Sequence, residues 1–318
     1  MKAVVFGLGS IGMRHARNLK KLGVNEISGV DPTGERRDRF LSEIGGEAYP
    51  GGDHSVIRGV DLAVIASPNR FHIKQAQMCA ELGICLFIEK PLGVSSSGID
   101  QLVRTIGEKN LFAHVGSNWK FHPAFIRMKE LLDQAAIGTV VGAQVLAGQW
   151  LPDWHPWEDY RHGYSARADL GGGVVLDTHE LDYLTWLFGD VSEISGFVHH
   201  SACLEIDTED VVCACLRFES GVLATLQADY IQRSYQRRYH IFGDNGTIIW
   251  DIRTNKLSVY DAASGTEIVE DVSEDINEMY VRQMTHVLDG VRHNVEPVTP
   301  LKHSSKVLKL QLRLKQNG

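Results

Sequence analysis

The chain is predicted to be α/β, with an N-terminal doubly wound parallel sheet followed by an α+β domain on a mostly antiparallel sheet. Three observations predict this. From residue 1 to about 117 short apolar runs alternate with amphipathic segments, the rhythm of βαβ units. The first apolar run closes on a Gly-x-Gly-x-x-Gly pattern. After residue 118 the apolar period changes to alternation broken by turn signals. A length of 318 residues suits two cores, predicted as domains 1–117 and 118–318.

The first domain is read as strands 2–6, 26–30, 61–66, 84–89 and 111–116. Between them, "FHIKQAQMCAELG" places Ile73, Ala76 and Ala80 on one helical face with Gly83 as a stop, and "SSSGIDQLVRTIGEKN" places Ile99, Leu102, Val103 and Ile106 at helical spacing behind serine caps. In the second, a helix over 123–135 precedes strands. "VVCACLRFESGVLATLQADY" forms a hairpin around Glu219-Ser220-Gly221, and "YHIFGDNGTIIWD" turns at Asn245-Gly246. Residues 194–200 and "SVY" add strands, and helices near 279–293 and 303–315 close the chain.

A net charge of −8 disfavours a nucleic-acid surface. No apolar run has the length of a membrane span, and Met1-Lys2 leads directly into a strand without a signal peptide. A cytoplasmic protein is expected. Its five cysteines show no Cys-x-x-Cys spacing; reduced thiols and no metal are expected, with Cys213 and Cys215 as small core residues on one strand face.

The glycine pattern is Gly7, Gly9 and Gly12, with Ser10 and Ile11 inside it, between a strand and a helix. Gly7 permits the turn, Gly9 admits a diphosphate against the backbone, and Gly12 lets helix and strand approach. Asp31, at the end of the second strand, accepts from an adenosine ribose and repels a 2′-phosphate, so NAD is expected over NADP. Arg36 and Arg37 follow and could soften that preference, or, in a helix beginning near Gly34, form a solvated face.

In "VIASPNRFHIKQA", "FIEKPLG", "HVGSNWKFHPAF" and "GGGVVLDTHELDYLTWLFG" the sequence resembles the glucose-fructose oxidoreductase, inositol dehydrogenase and rhizopine-catabolism (Gfo/Idh/MocA) family over nearly its whole length. The resemblance implies a Rossmann domain followed by an open-faced sheet domain, with the active site between them. It implies that Ser67, Pro68, Asn69 and His72 line the nicotinamide ribose and diphosphate, and that Glu89-Lys90-Pro91, with a cis bond at Pro91, sets Lys90 beside nicotinamide and substrate. Asn118 would lie near cofactor and substrate, with Lys120 close by in the same motif. His179 would contact the substrate hydroxyl. Read without the family, Glu89 and Lys90 form a solvated loop pair, Ser67 or Asn69 caps a helix whose His72 is exposed, and His122 caps the next.

The helix after "GGG" is read as starting near Asp177. The family pattern has an Asp four residues before the histidine, whereas Asp177 precedes His179 by two, so the orienting carboxylate is Asp177 if it precedes the first turn, or else Asp182. "WLPDWHPWEDYRHGYSARADLGGG" resembles a subgroup associated with sialic-acid-like sugar and surface-glycan biosynthesis. In it Arg161 and Arg167 could clamp an anion and Trp150, Trp154, Tyr160 and Tyr164 face a sugar ring, or the loop packs against a neighbouring subunit.

The expected reaction is oxidation of a secondary alcohol of a sugar, sugar derivative or cyclic polyol, His179 taking the hydroxyl proton and Lys90 stabilising the oxygen. Two alternatives stand beside it: an NAD-dependent eliminating or glycoside-cleaving enzyme that recycles its cofactor, and a non-catalytic dinucleotide sensor. An uncovered face of the antiparallel sheet predicts a homodimer or homotetramer.

Overall fold

The computed structural model describes residues 1–154, 156 and 158–317. They form two compact units, Met1–Asn118 with Ile276–Leu308, and Trp119–Asp275 with Lys309–Gly318.

In the first unit, strands β1 (Lys2–Phe6), β2 (Glu26–Val30), β3 (Glu47–Tyr49), β4 (Leu62–Ile65), β5 (Cys85–Ile88) and β6 (Ala113–Val115) form one sheet in the order β3-β2-β1-β4-β5-β6. Every neighbouring pair is parallel. The central strands are buried on both faces, Val4, Val5, Val64, Phe87 and Ile88 being 0% exposed, as continuous apolar runs require. Helices α1 (Ser10–Lys21), α2 (Gly34–Glu43), α3 (His54–Ile57), α4 (His72–Glu81) and α5 (Ile99–Glu108) lie between the strands in the chain. Strand order reverses beside β1 and β4, so the crevice at their carboxyl ends is where such sheets take ligands. All five expected strands are present, and β3, only three residues long, is the addition.

The second unit holds α6 (Pro123–Asp133), β7 (Val140–Gly148), α7 (Val174–Asp177), α8 (Glu180–Phe188) and strands β8 (Val191–His199), β9 (Val211–Phe218), β10 (Leu223–Asp229), β11 (Gln236–Gly243), β12 (Gly246–Asp251), β13 (Lys256–Asp261) and β14 (Thr266–Asp271). The sheet order is β14-β13-β12-β11-β7-β10-β9-β8. Only β7 and β10 pair in parallel. On the covered face Phe125 of α6 meets Tyr183, Tyr239 and Trp250 with ring centroids 4.9–5.4 Å apart. His122 caps α6, its Nδ1 accepting the Ala124 N–H at 3.2 Å.

Three readings change. Cys213 and Cys215 are exposed, because Val212, Ala214 and Leu216 take the inward positions of β9. The second hairpin turns on Asp244 and Asn245; Gly246 already belongs to β12, where a Cβ would stand 2.1 Å from the Tyr260 carbonyl oxygen. The last correction concerns α9 (Ile276–His293) and α10 (Leu301–Asn317), which were assigned wholly to the second domain. Met284, Val287 and Leu288 of α9 join Leu19, Phe87 and Phe112 in the first unit's core. Gly290 is required there, since a Cβ would meet the Phe112 ring at 2.0 Å. An amphipathic helix records that it has a buried face, not which sheet covers it.

Candidate functional site

The dinucleotide loop follows from its glycines. Gly7 has φ of 85°, and a Cβ on Gly12 would lie 1.8 Å from the Gly7 carbonyl oxygen, so α1 can start against the turn only without side chains at both points. Gly9 differs: nothing lies within 4 Å of where its Cβ would be. That open backbone, followed by Ser10 and Ile11 in the first turn of α1, is the cradle a diphosphate needs. Asp31 is buried at the end of β2 and held rigidly, accepting the Leu8 N–H at 2.8 Å and the Thr33 N–H at 2.9 Å. Its oxygens keep lone pairs for ribose hydroxyls. Arg36 and Arg37 are not simply a solvated face. Arg36 Nη1 is 3.6 Å from Asp31, and Arg37 Nη1 donates to the Asp31 and Pro32 carbonyls at 2.7 and 2.8 Å.

At the ends of β4 and β5 the expected residues are tied together. The Ser67 hydroxyl donates to Gln75 at 2.6 Å, and Pro68 precedes a 3-10 turn over Asn69–Phe71. His72 is buried, not exposed on its helix: Nε2 lies 2.7 Å from the Ser67 carbonyl and Nδ1 2.9 Å from that of Pro91. Burial pushes its pKa down against those acceptors, and the ring joins two loops. The Lys90-Pro91 bond is cis. Glu89 is no solvated loop residue, because its Oε1 is 2.6 Å from Nε2 of His15 in α1 and its Oε2 accepts the Lys90 N–H at 3.1 Å. Burial would raise the Glu89 pKa; the His15 hydrogen bond and the Lys90 charge outweigh it and hold the carboxyl below its ordinary value. Asn118 is buried, its amide 3.4 Å from Met279 Sδ in α9. With the Gln283 amide turned to satisfy its neighbours, that oxygen accepts the Ser117 and Asn118 N–H groups at 2.7 and 3.3 Å.

In the second unit the expected single helix is broken. α7 ends at Asp177, Thr178 is extended with ψ of 135°, and α8 begins at Glu180. Asp177 therefore follows no helical register with His179. It accepts hydroxyls from Tyr164 at 2.7 Å, Ser165 at 2.6 Å and Tyr230 at 2.9 Å. Asp182 takes the buried Lys120 ammonium at 2.9 Å. Burial lowers the Lys120 pKa, opposed by Asp182. His179 Nδ1 is 2.9 Å from the Tyr183 hydroxyl, a residue the sequence reading passed over.

Residues 1–117 match the family model for an oxidoreductase family with an NAD-binding Rossmann fold, and residues 125–249 match the Gfo/Idh/MocA C-terminal domain. The chain belongs to the Gfo/Idh/MocA family. It is an oxidoreductase whose first unit binds NAD. Among its relatives are scyllo-inositol 2-dehydrogenase (NAD(+)) of Bacillus subtilis, 24% identical over 94% of this chain and 88% of that protein. Another is UDP-N-acetylglucosamine 3-dehydrogenase of Acidithiobacillus ferrooxidans, 26% identical over 84% and 79%. The fold matches an oxidoreductase from Agrobacterium radiobacter, solved in complex with NAD+, L-tartaric acid and magnesium, at a TM-score of 0.88 and 19% identity over 100% of this chain and 96% of that one.

The loop before α7 is rich in charge, and its charged groups pair with one another. Arg161 forks onto Asp159 at 2.7–3.1 Å and reaches Glu205 at 3.0 Å, which pushes the Asp159 pKa down to about 2. Arg167 forks onto Asp169 at 2.9 and 2.8 Å. In each case the pair uses the Nε/Nη2 edge of the guanidinium. Trp150 carries Arg233 over its ring at 3.5 Å, and the Tyr164 hydroxyl is spent on Asp177. Trp154 packs edge-on against Tyr230 at 5.3 Å, and Tyr160 accepts the Glu205 N–H.

Proposed function

We propose that this protein moves a hydride between nicotinamide and a secondary alcohol or ketone of a sugar, sugar derivative or cyclic polyol. The observation that carries the reading is the placement of Lys90 at the carboxyl end of β5, in the same sheet whose β1 and β2 ends supply the open Gly9 backbone and the fixed Asp31 carboxylate. The inositol and nucleotide-sugar dehydrogenases among its relatives support the substrate class. In this reading Gly7 to Gly12 hold the diphosphate, Asp31 the adenosine ribose, and the loops at Ser67 to Asn69 and Asn118 border the nicotinamide end. NAD, when bound, supplies the hydride acceptor. Lys90 hydrogen-bonds the reacting oxygen and stabilises its developing charge, and His179 takes the hydroxyl proton on oxidation or returns it on reduction. Asp182 and Asp177, bound by Lys120 and by three hydroxyls, set the walls around His179 rather than reacting.

The test is direct. The protein is incubated with NAD or NADP and a panel of free sugars, nucleotide sugars and cyclic polyols, with absorbance of the reduced cofactor followed over time. NADH accumulation with at least one member, favouring NAD, is expected. Conversion of a sugar with no net NADH would replace this reading with cofactor-recycling elimination.

The reading includes a cytoplasmic setting, supported by five free thiols, and self-association through the second unit's sheet. No described helix is long and apolar enough to cross a membrane. On the outward face Phe197, 80% exposed, pairs across the strands with Cys213, and Leu223 is 52% exposed. Light scattering on a sizing column should give a dimer or tetramer, and Phe197→Asp should shift it toward monomer. An unchanged mass would remove this face from the interface.

A further inference from the structure

We propose that His15 of α1 is a positioning residue for Lys90 and acts through the Glu89 carboxylate: its ring fixes one Glu89 oxygen, so that the other holds the Lys90 backbone at the carboxyl end of β5. The role of Lys90 itself rests on the proposed function. A strand that needed only to stop would not bury an acid at that point. The Glu89 side chain is 13% exposed and that of His15 0%. Glu89 Oε1 lies 2.6 Å from His15 Nε2, and Oε2 accepts the Lys90 N–H at 3.1 Å. These two are the hydrogen-bond partners of the carboxylate among the described residues.

The surroundings are cut to fit that carboxylate. Gly116, just after β6, has no side chain where a Cβ would stand 2.8 Å from Glu89 Oε2, so the oxygen lies against bare backbone. The flanking main chain is already committed to the sheet, with the Glu89 N–H donating to the Ile65 carbonyl at 2.8 Å and the Gly116 N–H to that of Ile88 at 2.6 Å. What the sheet leaves open is the direction of the carboxyl group, and His15 decides it. An ionised carboxylate only accepts, so Nε2 carries the hydrogen. The ring is itself held, edge-on to Phe87 at 4.8 Å and to Tyr280 at 6.1 Å, and nothing among the described residues hydrogen-bonds its Nδ1. Without this donor the buried carboxyl takes up a proton or swings toward water, and in both cases the Lys90 N–H loses its charged acceptor.

A double-mutant cycle on kcat tests this, with NADH formation followed on the most active member of the sugar and polyol panel. His15→Leu should lower kcat roughly tenfold, the worth of one hydrogen bond to a charged group, with NAD affinity and substrate KM within about threefold of wild type. His15→Gln, whose amide can reach Oε1, should recover most of the loss. In a Lys90→Met background His15→Leu should change kcat by less than about twofold, because the group it positions is gone. Equal penalties in both backgrounds, no penalty in a folded His15→Leu, or a His15→Gln as impaired as His15→Leu would each overturn the proposal. If His15→Leu does not fold, His15→Asn, too short to reach Glu89, takes its place in the cycle; failure of both to fold would make the pair a stability element and overturn the proposal as well. A Lys90→Met protein that keeps its turnover would instead bring down the role given to Lys90 in the proposed function.

Discussion

Lys90→Met lowers kcat on the true substrate by about 10²–10³-fold, about 3–4 kcal/mol of transition-state stabilisation, while NAD affinity stays within a few-fold of wild type. The split follows from where Lys90 sits. In the proposed reading the Gly7 to Gly12 loop and Asp31 hold the cofactor's diphosphate and adenosine ribose, and Lys90 builds neither. In that reading its ammonium supplies the charge that the reacting oxygen needs when hydride leaves or arrives. The loop itself survives the change, because its fixed points are elsewhere: the His72 ring between the Ser67 and Pro91 carbonyls, and the Glu89 carboxylate on His15 at 2.6 Å. Methionine preserves the aliphatic length and removes only the charge. Stopped-flow single turnover with NAD titrated by protein fluorescence separates chemistry from binding. If turnover stays within a few-fold of wild type, Lys90 has no such role.

The opening glycine run and the Glu-Lys-Pro triplet illustrate what sequence can carry. The Gly7 turn, the close approach at Gly12 and the strand-end place of Asp31 follow from a local strand–turn–helix order written in consecutive residues, so that geometry is legible before any coordinates. The partner of Glu89 was not. His15 lies 74 positions earlier, on a helix whose pattern gives no sign that one polar residue points into the sheet. The same holds for Asp177, whose three hydroxyl donors come from a loop and from the end of β10. Tyr183 is a different case. It stands four residues from His179, and the spacing alone places it on that residue's helical face. In the long loop the structure adds partners that the sequence reading did not name. Arg161 and Arg167 advertise an anion site in sequence, yet Asp159 and Asp169, two residues away from each, close their forks.

Arg237→Met should destabilise the second unit by about 3–5 kcal/mol, the cost of leaving a buried charge without its partner, and lower its melting temperature by roughly 10 °C. Arg237 Nε is 2.8 Å from Glu180 Oε1, with the two side chains 10% and 1% exposed. The contact is an ion pair rather than an aligned hydrogen bond, since neither atom meets hydrogen-bond geometry. The guanidinium also lies 4.5 Å over the Trp119 ring. Burial opposes the Arg237 charge, but Glu180 and the surrounding tyrosines outweigh it and raise its pKa. Glu180 cannot relax toward water, because it opens α8 with its other oxygen on the Thr178 hydroxyl at 2.6 Å. The double variant Arg237→Met with Glu180→Met removes both charges, so it should recover most of the loss. The pair fixes the start of α8, and His179 is the residue immediately before that helix. Activity of Arg237→Met should therefore fall at temperatures where the unit is still folded, whereas the double variant should regain stability without regaining full kcat. A chemical-denaturation series on the three variants decides it. A single variant as stable as wild type would mean that β11 does not hold α8 through this contact.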